Sequence, residues 1–209
     1  MLKIWGRANG SNVVKVMWCV GELGIEHERI DWGGRFGGND DSAYRRLNPM
    51  GTLPTIVEDD GFTLWESGPV VRYLSAKHGL GALCPDSGQG RAEAEKWMDW
   101  SSLNLHPFNR VFTFNMFILP PEERDSDAIA TAAARAAEMY DVLDRHLADR
   151  AYLCGDQFTM ADIPAGSLTH RWMELAPERP SHPNVEAWYE RLKARPAYRE
   201  HVMSVTPGH

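Results

Sequence analysis

The sequence predicts an α/β N-terminal domain, residues 1–80, followed by an all-α C-terminal domain, residues 91–209. Three observations predict it. Before residue 80, short strand-like apolar runs and helical patterns follow the order strand, helix, strand, then hairpin and helix. Gly81 to Gly90, with Pro85 and Gly88, then forms a turn-rich linker. Beyond it the strand patterns stop and helical ones continue.

Each element has a local reason. Leu2 to Gly6 alternates as a strand, and Gly6-Arg7-Ala8-Asn9-Gly10-Ser11-Asn12 is a loop of small, turn-prone residues. Val13, Val16, Met17, Val20 and Leu23 recur at helical spacing, and Gly24 stops that helix in the C′ position. His27 to Ile30 is the second strand of a βαβ unit. Asp31 to Asp41 is glycine-rich but lacks the phosphate-binding and dinucleotide patterns, and Ser42 to Leu47 is a short helix.

Leu53 to Val57 and Phe62 to Trp65 pair as a hairpin around Asp60-Gly61. Ser67 is placed to cap the next helix, Ser67 to His78, with Pro69 in its first turn and Gly79 at its end. Arg91 to Ile118 reads as one long helix that Pro107 bends. Pro120-Pro121 separates it from an alanine-rich helix, Asp127 to Ala148. Thr159 as N-cap and Asp162 as its N3 partner open another helix, with Phe158 at N′ as a staple. Pro183 to Ala194 and Pro196 to Met203 are two short final helices.

Composition narrows the function. The chain has 209 residues, of which 43% are hydrophobic and 24% charged, as in a globular protein with a real core. A formal net charge of −7 disfavours generic nucleic-acid binding. No run approaches the roughly 20 apolar residues of a membrane helix, and Met1-Leu2-Lys3-Ile4-Trp5 reads as a strand, not a signal peptide. The three cysteines, Cys19, Cys84 and Cys154, form no CxxC or zinc pattern, which points to a reducing cytosol. The histidines show no paired-ligand spacing, so no metal is expected.

The hairpin carries the chemistry. A proline at a strand start cannot donate to the ladder. If the Leu53-Pro54 bond is cis, the Leu53 backbone turns outward and can pair with an extended peptide. The helix start after Glu66-Ser67 offers N–H groups to a carboxylate. Asn48-Pro49, Gly51, Leu53-Pro54 and Glu66-Ser67 together resemble the glutathione transferase superfamily, in the arrangement of its bacterial members. Gly155-Asp156, Phe158-Thr159 and Ala161-Asp162-Ile163 resemble its helical-domain capping motif, with a role in folding.

The resemblance implies a thioredoxin-like domain followed by a helical bundle, with glutathione as co-substrate. Leu53 would pair with the cysteinyl backbone beside a cis Pro54, and Glu66 and Ser67 would hold the γ-glutamyl end. Ser11 would donate to the sulfur as in the serine-type classes, with Asn12 its rival. Arg35 would meet the glycyl carboxylate as a guanidinium fork, with Lys15 and Arg7 as further basic residues near the first loop. Trp97, His106, Arg110 and Phe114 are candidates for the electrophile site. Arg72 reads as structural or as a dimer contact. The family also implies a cytoplasmic homodimer acting in detoxification. No cysteine lies between Gly6 and Lys15, which argues against protein-borne dithiol chemistry. A glutathione-dependent disulfide or peroxide reductase, or a non-catalytic binding protein of the same fold, are the alternatives.

Overall fold

Alternation in the first strand sets the inward face of the sheet. In β1 (Leu2–Trp5), Leu2 and Ile4 are buried and Lys3 is exposed. The computed structural model describes residues 1–176 and 179–205, so the end of the 91–209 range lies outside the described residues. β1 pairs in parallel with β2 (His27–Ile30) and antiparallel with β3 (Thr55–Val57), which pairs antiparallel with β4 (Thr63–Trp65). The resulting order is β2-β1-β3-β4. The hairpin closes as expected, with Gly61 at φ 88° and the Phe62 N–H donating to Asp60 Oδ1 at 2.9 Å.

The first helix, α1 (Ser11–Leu23), is buried all round from Val13 to Val20 and not on one stripe. One side packs on α3 (Ser67–His78); the other meets the helical half of the chain. Trp18 shows why: its ring centroid lies 4.6 Å from that of Tyr198 and 5.4 Å from that of Phe158. Gly24 ends α1 at φ 62°. The expected helix start at Val13 is corrected to Ser11, with Gly10 as the N-cap and no side-chain cap. Likewise Ser67 does not cap α3; it is the first helical residue and Glu66 is the cap. Between these elements lie a 3₁₀ turn, Gly34–Phe36, and α2 (Ser42–Leu47), capped by Asp41.

In the helical half, α4 (Gly88–Trp100) starts inside the expected linker, because Ser87 Oγ accepts from the Gly90 N–H at 3.0 Å. It runs on through a π-helical turn, Ser101–Leu105, into α5 (His106–Thr113) and a second such turn, Phe114–Ile118. α6 (Ser126–Leu147) is capped by Asp125. α7 (Asp162–Leu175) is preceded by a turn that carries the expected capping pair: the Thr159 N–H donates to Asp162 Oδ2 at 3.0 Å and the Ala161 N–H to Thr159 Oγ1 at 3.4 Å, while the regular helix starts at Asp162. The Phe158 ring centroid lies 5.4 Å from that of Trp18 and 5.8 Å from that of Tyr152. α8 (Pro183–Lys193) and α9 (Pro196–Tyr198), continued by a π-helical turn to Met203, complete the fold. Among the described residues no helix is long and apolar enough to cross a membrane.

Candidate active site

The Leu53-Pro54 peptide bond is cis. The segment around it is fixed by buried polar groups. The Tyr44 hydroxyl donates to the Thr52 carbonyl at 2.6 Å, and Asn48 Nδ2 donates to the same oxygen at 2.9 Å and to Thr55 Oγ1 at 3.1 Å. Within the described residues, neither the N–H nor the C=O of Leu53 has a hydrogen-bond partner. A main-chain donor and acceptor held side by side and left unpaired form a rail for an added extended peptide.

The rail is tied to the first loop. A Cβ on Gly33 would meet Leu53 Cδ1 at 2.4 Å, and one on Gly34 would meet Arg7 Nη1 at 3.0 Å. Leu53, the glycine-rich loop and Arg7 are thus in contact. Arg35, on the same loop, is exposed, with its guanidinium 4.9 Å from the centre of the Phe36 ring.

At the other end of the hairpin, Glu66 has φ 69°. A non-glycine residue held there costs about 1–3 kcal/mol, which points to a demand of function. The conformation turns the chain from β4 into α3 and leaves the Glu66 side chain exposed. Ser67 and Gly68 follow, and their N–H groups are free of intrahelical partners as at any helix start. A carboxylate and a helix N-terminus together suit an amino acid: the one takes the ammonium, the other the carboxylate.

Opposite stands the start of α1. Ser11 is its first residue, half-buried, and its hydroxyl makes no hydrogen bond within the described residues. Asn12 Oδ1 accepts from Lys15 Nζ at 2.9 Å. Lys15 is only 3% exposed. Burial and then the charge of Arg171 push its ammonium down to about 8, against the pull of Glu66. Arg171, on α7, is 7% exposed and reaches across to the first loop, donating to the Asn9 carbonyl and to Thr113 Oγ1, each at 3.1 Å. Burial and then Arg7 lower it to about 10.

A cavity of about 680 Å³ opens beside Ser11. His106, Arg110 and Phe114 line it together with Arg171. Burial and the nearby charges of Lys15, Arg110 and Arg171 push His106 down to about 4, so its imidazole is neutral at pH 7. Arg110 is exposed and makes no ion pair among the described residues. Trp97 is a correction: it does not line this cavity. It is buried in the helical half, with ring centroids 5.1 Å from Trp100 and 4.3 Å from His146. Arg72 is structural within the chain, reaching from α3 to Asp99 and to the Glu95 carbonyl on α4.

Arg171 is the residue that sequence reasoning missed. The signal was an arginine inside a helix whose residues from Asp162 to Thr169 are all buried, a setting that an unneeded cation would leave. Its partner, Asn9, stands far off in the chain.

Two family models match the chain: the N-terminal domain of glutathione S-transferase over residues 11–77 and its C-terminal domain over residues 109–196. Glutathione S-transferase GstB of Escherichia coli K12 is 37% identical over 204 residues, 97% of this chain and 98% of that protein. Glutathione S-transferase 3 of Zea mays is 30% identical, covering 98% of this chain and 94% of its own. The crystal structure of a theta class glutathione S-transferase from Xanthomonas axonopodis pv. citri, with glutathione bound, superposes with a TM-score of 0.93 at 43% identity, covering 98% of each chain. Full-length likeness on both sides, in a chain whose sheet order, cis proline and paired halves were already in view, leads to one statement: this chain belongs to the glutathione S-transferase family.

Proposed function

We propose that this glutathione transferase holds glutathione along the Leu53 rail. Its γ-glutamyl end lies at Glu66 and Ser67, its glycyl carboxylate near Arg35, and its sulfur at the start of α1. Residues 1–80 form the glutathione-binding domain, and residues 91–209 contribute the electrophile site, walled by His106, Arg110 and Phe114. The observation that carries this reading is the unpaired backbone of Leu53 beside a helix start that begins at Ser67. The crystal structure of the Xanthomonas relative has glutathione bound, which supports the same ligand here.

The reaction needs a thiolate near neutral pH. The free N–H groups of the first turn of α1 and the Ser11 hydroxyl stabilise negative charge there. The thiol proton leaves to solvent, and the sulfur lone pair forms a bond to an electrophilic carbon as its leaving group departs. Holding both partners in one cleft removes most of the entropy cost of their meeting. We read the working form as a two-fold homodimer. We place it in the cytosol, where the three unpaired cysteines would stay reduced.

Two variants assayed with a generic aryl halide test the reading. Ser11→Ala is expected to lower kcat about a hundredfold, as loss of one donor to a reacting anion does, with glutathione affinity nearly kept. Ser67→Ala is expected to do the reverse, weakening glutathione about tenfold while kcat at saturation is retained. Unchanged turnover in Ser11→Ala would remove Ser11 from the chemistry.

A further inference from the structure

Lys15 has no ordinary structural excuse. It lies one turn into α1, where the helix dipole disfavours a cation. It is 3% exposed, and Arg171 adds a like charge from α7. Among the described residues no carboxylate comes within ion-pair distance of its Nζ. Glu66, at the end of the hairpin, attracts it from further off. Its single hydrogen bond within the described residues goes to Asn12 Oδ1. An ammonium has three donors, so two are left over in a buried place. A buried cation so poorly compensated is costly unless an anion arrives to complete it.

The bond to Asn12 has a second consequence. Lysine is only a donor, so the oxygen of the Asn12 amide must face it. The Asn12 NH₂ group is then turned away from Lys15. It makes no hydrogen bond within the described residues, at the second position of the helix next to Ser11. An amide in the opposite orientation would present an acceptor there and repel an anion.

We propose that Lys15 is a positioning residue for thiol activation: it locks the Asn12 amide with its NH₂ group toward the glutathione sulfur and supplies the buried positive charge that the thiolate completes. The inference rests on the reading that the sulfur lies at the start of α1. Lys15 remains the cation throughout and the thiol proton still leaves to solvent; no proton is passed to the lysine. The charged and titratable groups around it are Glu66 from the hairpin, His106 from α5 and Arg171 from α7. His106 stays neutral, so Glu66 and Arg171 set the field that Lys15 feels. At pH 7 a group lowered only to about 8 is still mostly protonated, as the role requires.

The test is the ultraviolet titration of the thiolate of bound glutathione, in the full-length protein and in Lys15→Met, Lys15→Arg and Asn12→Asp. Lys15→Met is expected to raise the bound thiol pKa by about 1–3 units, the effect of removing one nearby opposite charge. Its kcat at mildly acidic pH should fall by about tenfold or more, while calorimetric affinity for glutathione is nearly kept. Its melting temperature should hold or rise, which a merely structural lysine would not allow. Lys15→Arg should recover part of the shift. Asn12→Asp keeps the partner of Lys15, so it folds, but it replaces the donor by an anion and should raise the thiol pKa as well. A bound thiol that titrates unchanged in Lys15→Met, or in Asn12→Asp if the first variant does not fold, overturns the inference. Failure of the unaltered protein to bind glutathione would instead overturn the site reading, and this inference with it.

Discussion

His106 lies directly before Pro107 on the wall of a cationic cavity, and burial and charge there fix its state. Desolvation and three neighbouring cations hold its folded pKa near 4, against an ordinary 6.5. Between those two values the unfolded chain takes up a proton that the folded chain refuses. Stability from this group is therefore fully present above pH 6.5 and is lost as pH falls toward 4. His106→Gln cannot titrate, so its urea midpoint should fall less than that of the unaltered protein between about pH 7 and about pH 4.5. Equal falls in both proteins would show that His106 titrates normally. His106 was legible in the sequence because it stands directly before Pro107. Trp97 was not, since an aromatic at helical spacing faces core or cleft with equal ease. Arg171 was not legible either, because its use depends on a carbonyl at the far end of the chain.

At the level of elements, the long helix shows how a local rule becomes a site. Pro107 lacks an N–H, and its ring conflicts with the carbonyl four residues back. The chain answers with one wider turn: the His106 N–H reaches the Ser101 carbonyl, five residues away. The sequence leads to the expectation of a bend at Pro107; what the structure shows there is a π-helical turn, a form that sequence pattern does not distinguish from a kink. Past this turn, His106, Arg110 and Phe114 recur at four-residue spacing and share the face that lines the cavity. The Thr159–Asp162 pair is a second case. The Asp162 carboxylate accepts from the N–H groups of Leu153 and Thr159 and from Trp188 Nε1, each at 3.0 Å. The sequence suggested the bond to Thr159; the other two come from segments it could not place. Asp162→Ala would strand three buried donors, so we expect a loss of about 3–5 kcal/mol in urea unfolding. Glutathione affinity of the folded fraction should be unchanged, because the partners of Asp162, namely Leu153, Thr159 and Trp188, all belong to the helical half. A loss under about 1 kcal/mol would mean that water satisfies the three donors.

Across the whole molecule, α1 is the shared wall of the two halves, and its far end is clamped as firmly as its start is tuned. Glu22 accepts from Trp18 Nε1 at 2.8 Å within α1. It also takes a two-pronged bond from Arg195, Nε at 2.8 Å and Nη2 at 2.6 Å, near the end of the chain. The Arg195 guanidinium lies 3.9 Å from the centre of the Phe158 ring, so one arginine joins α1, the approach to α7 and the segment after α8. The Glu22 side chain is 10% exposed, so water cannot replace what is lost. Glu22→Ala leaves Trp18 Nε1 and much of the guanidinium without partners, and we expect it to cost about 2–4 kcal/mol. Arg195→Ala leaves a carboxylate that still has the indole, so it should cost less. With both removed, neither group is stranded, and the double variant should be more stable than the sum of the single losses by about 1–2 kcal/mol. Urea unfolding read by both tryptophan fluorescence and far-ultraviolet circular dichroism measures this cycle. Because α1 is core to both halves, the two signals should coincide in all four proteins. Strict additivity would reduce the clamp to a surface ion pair, and separated transitions would show that the halves unfold independently.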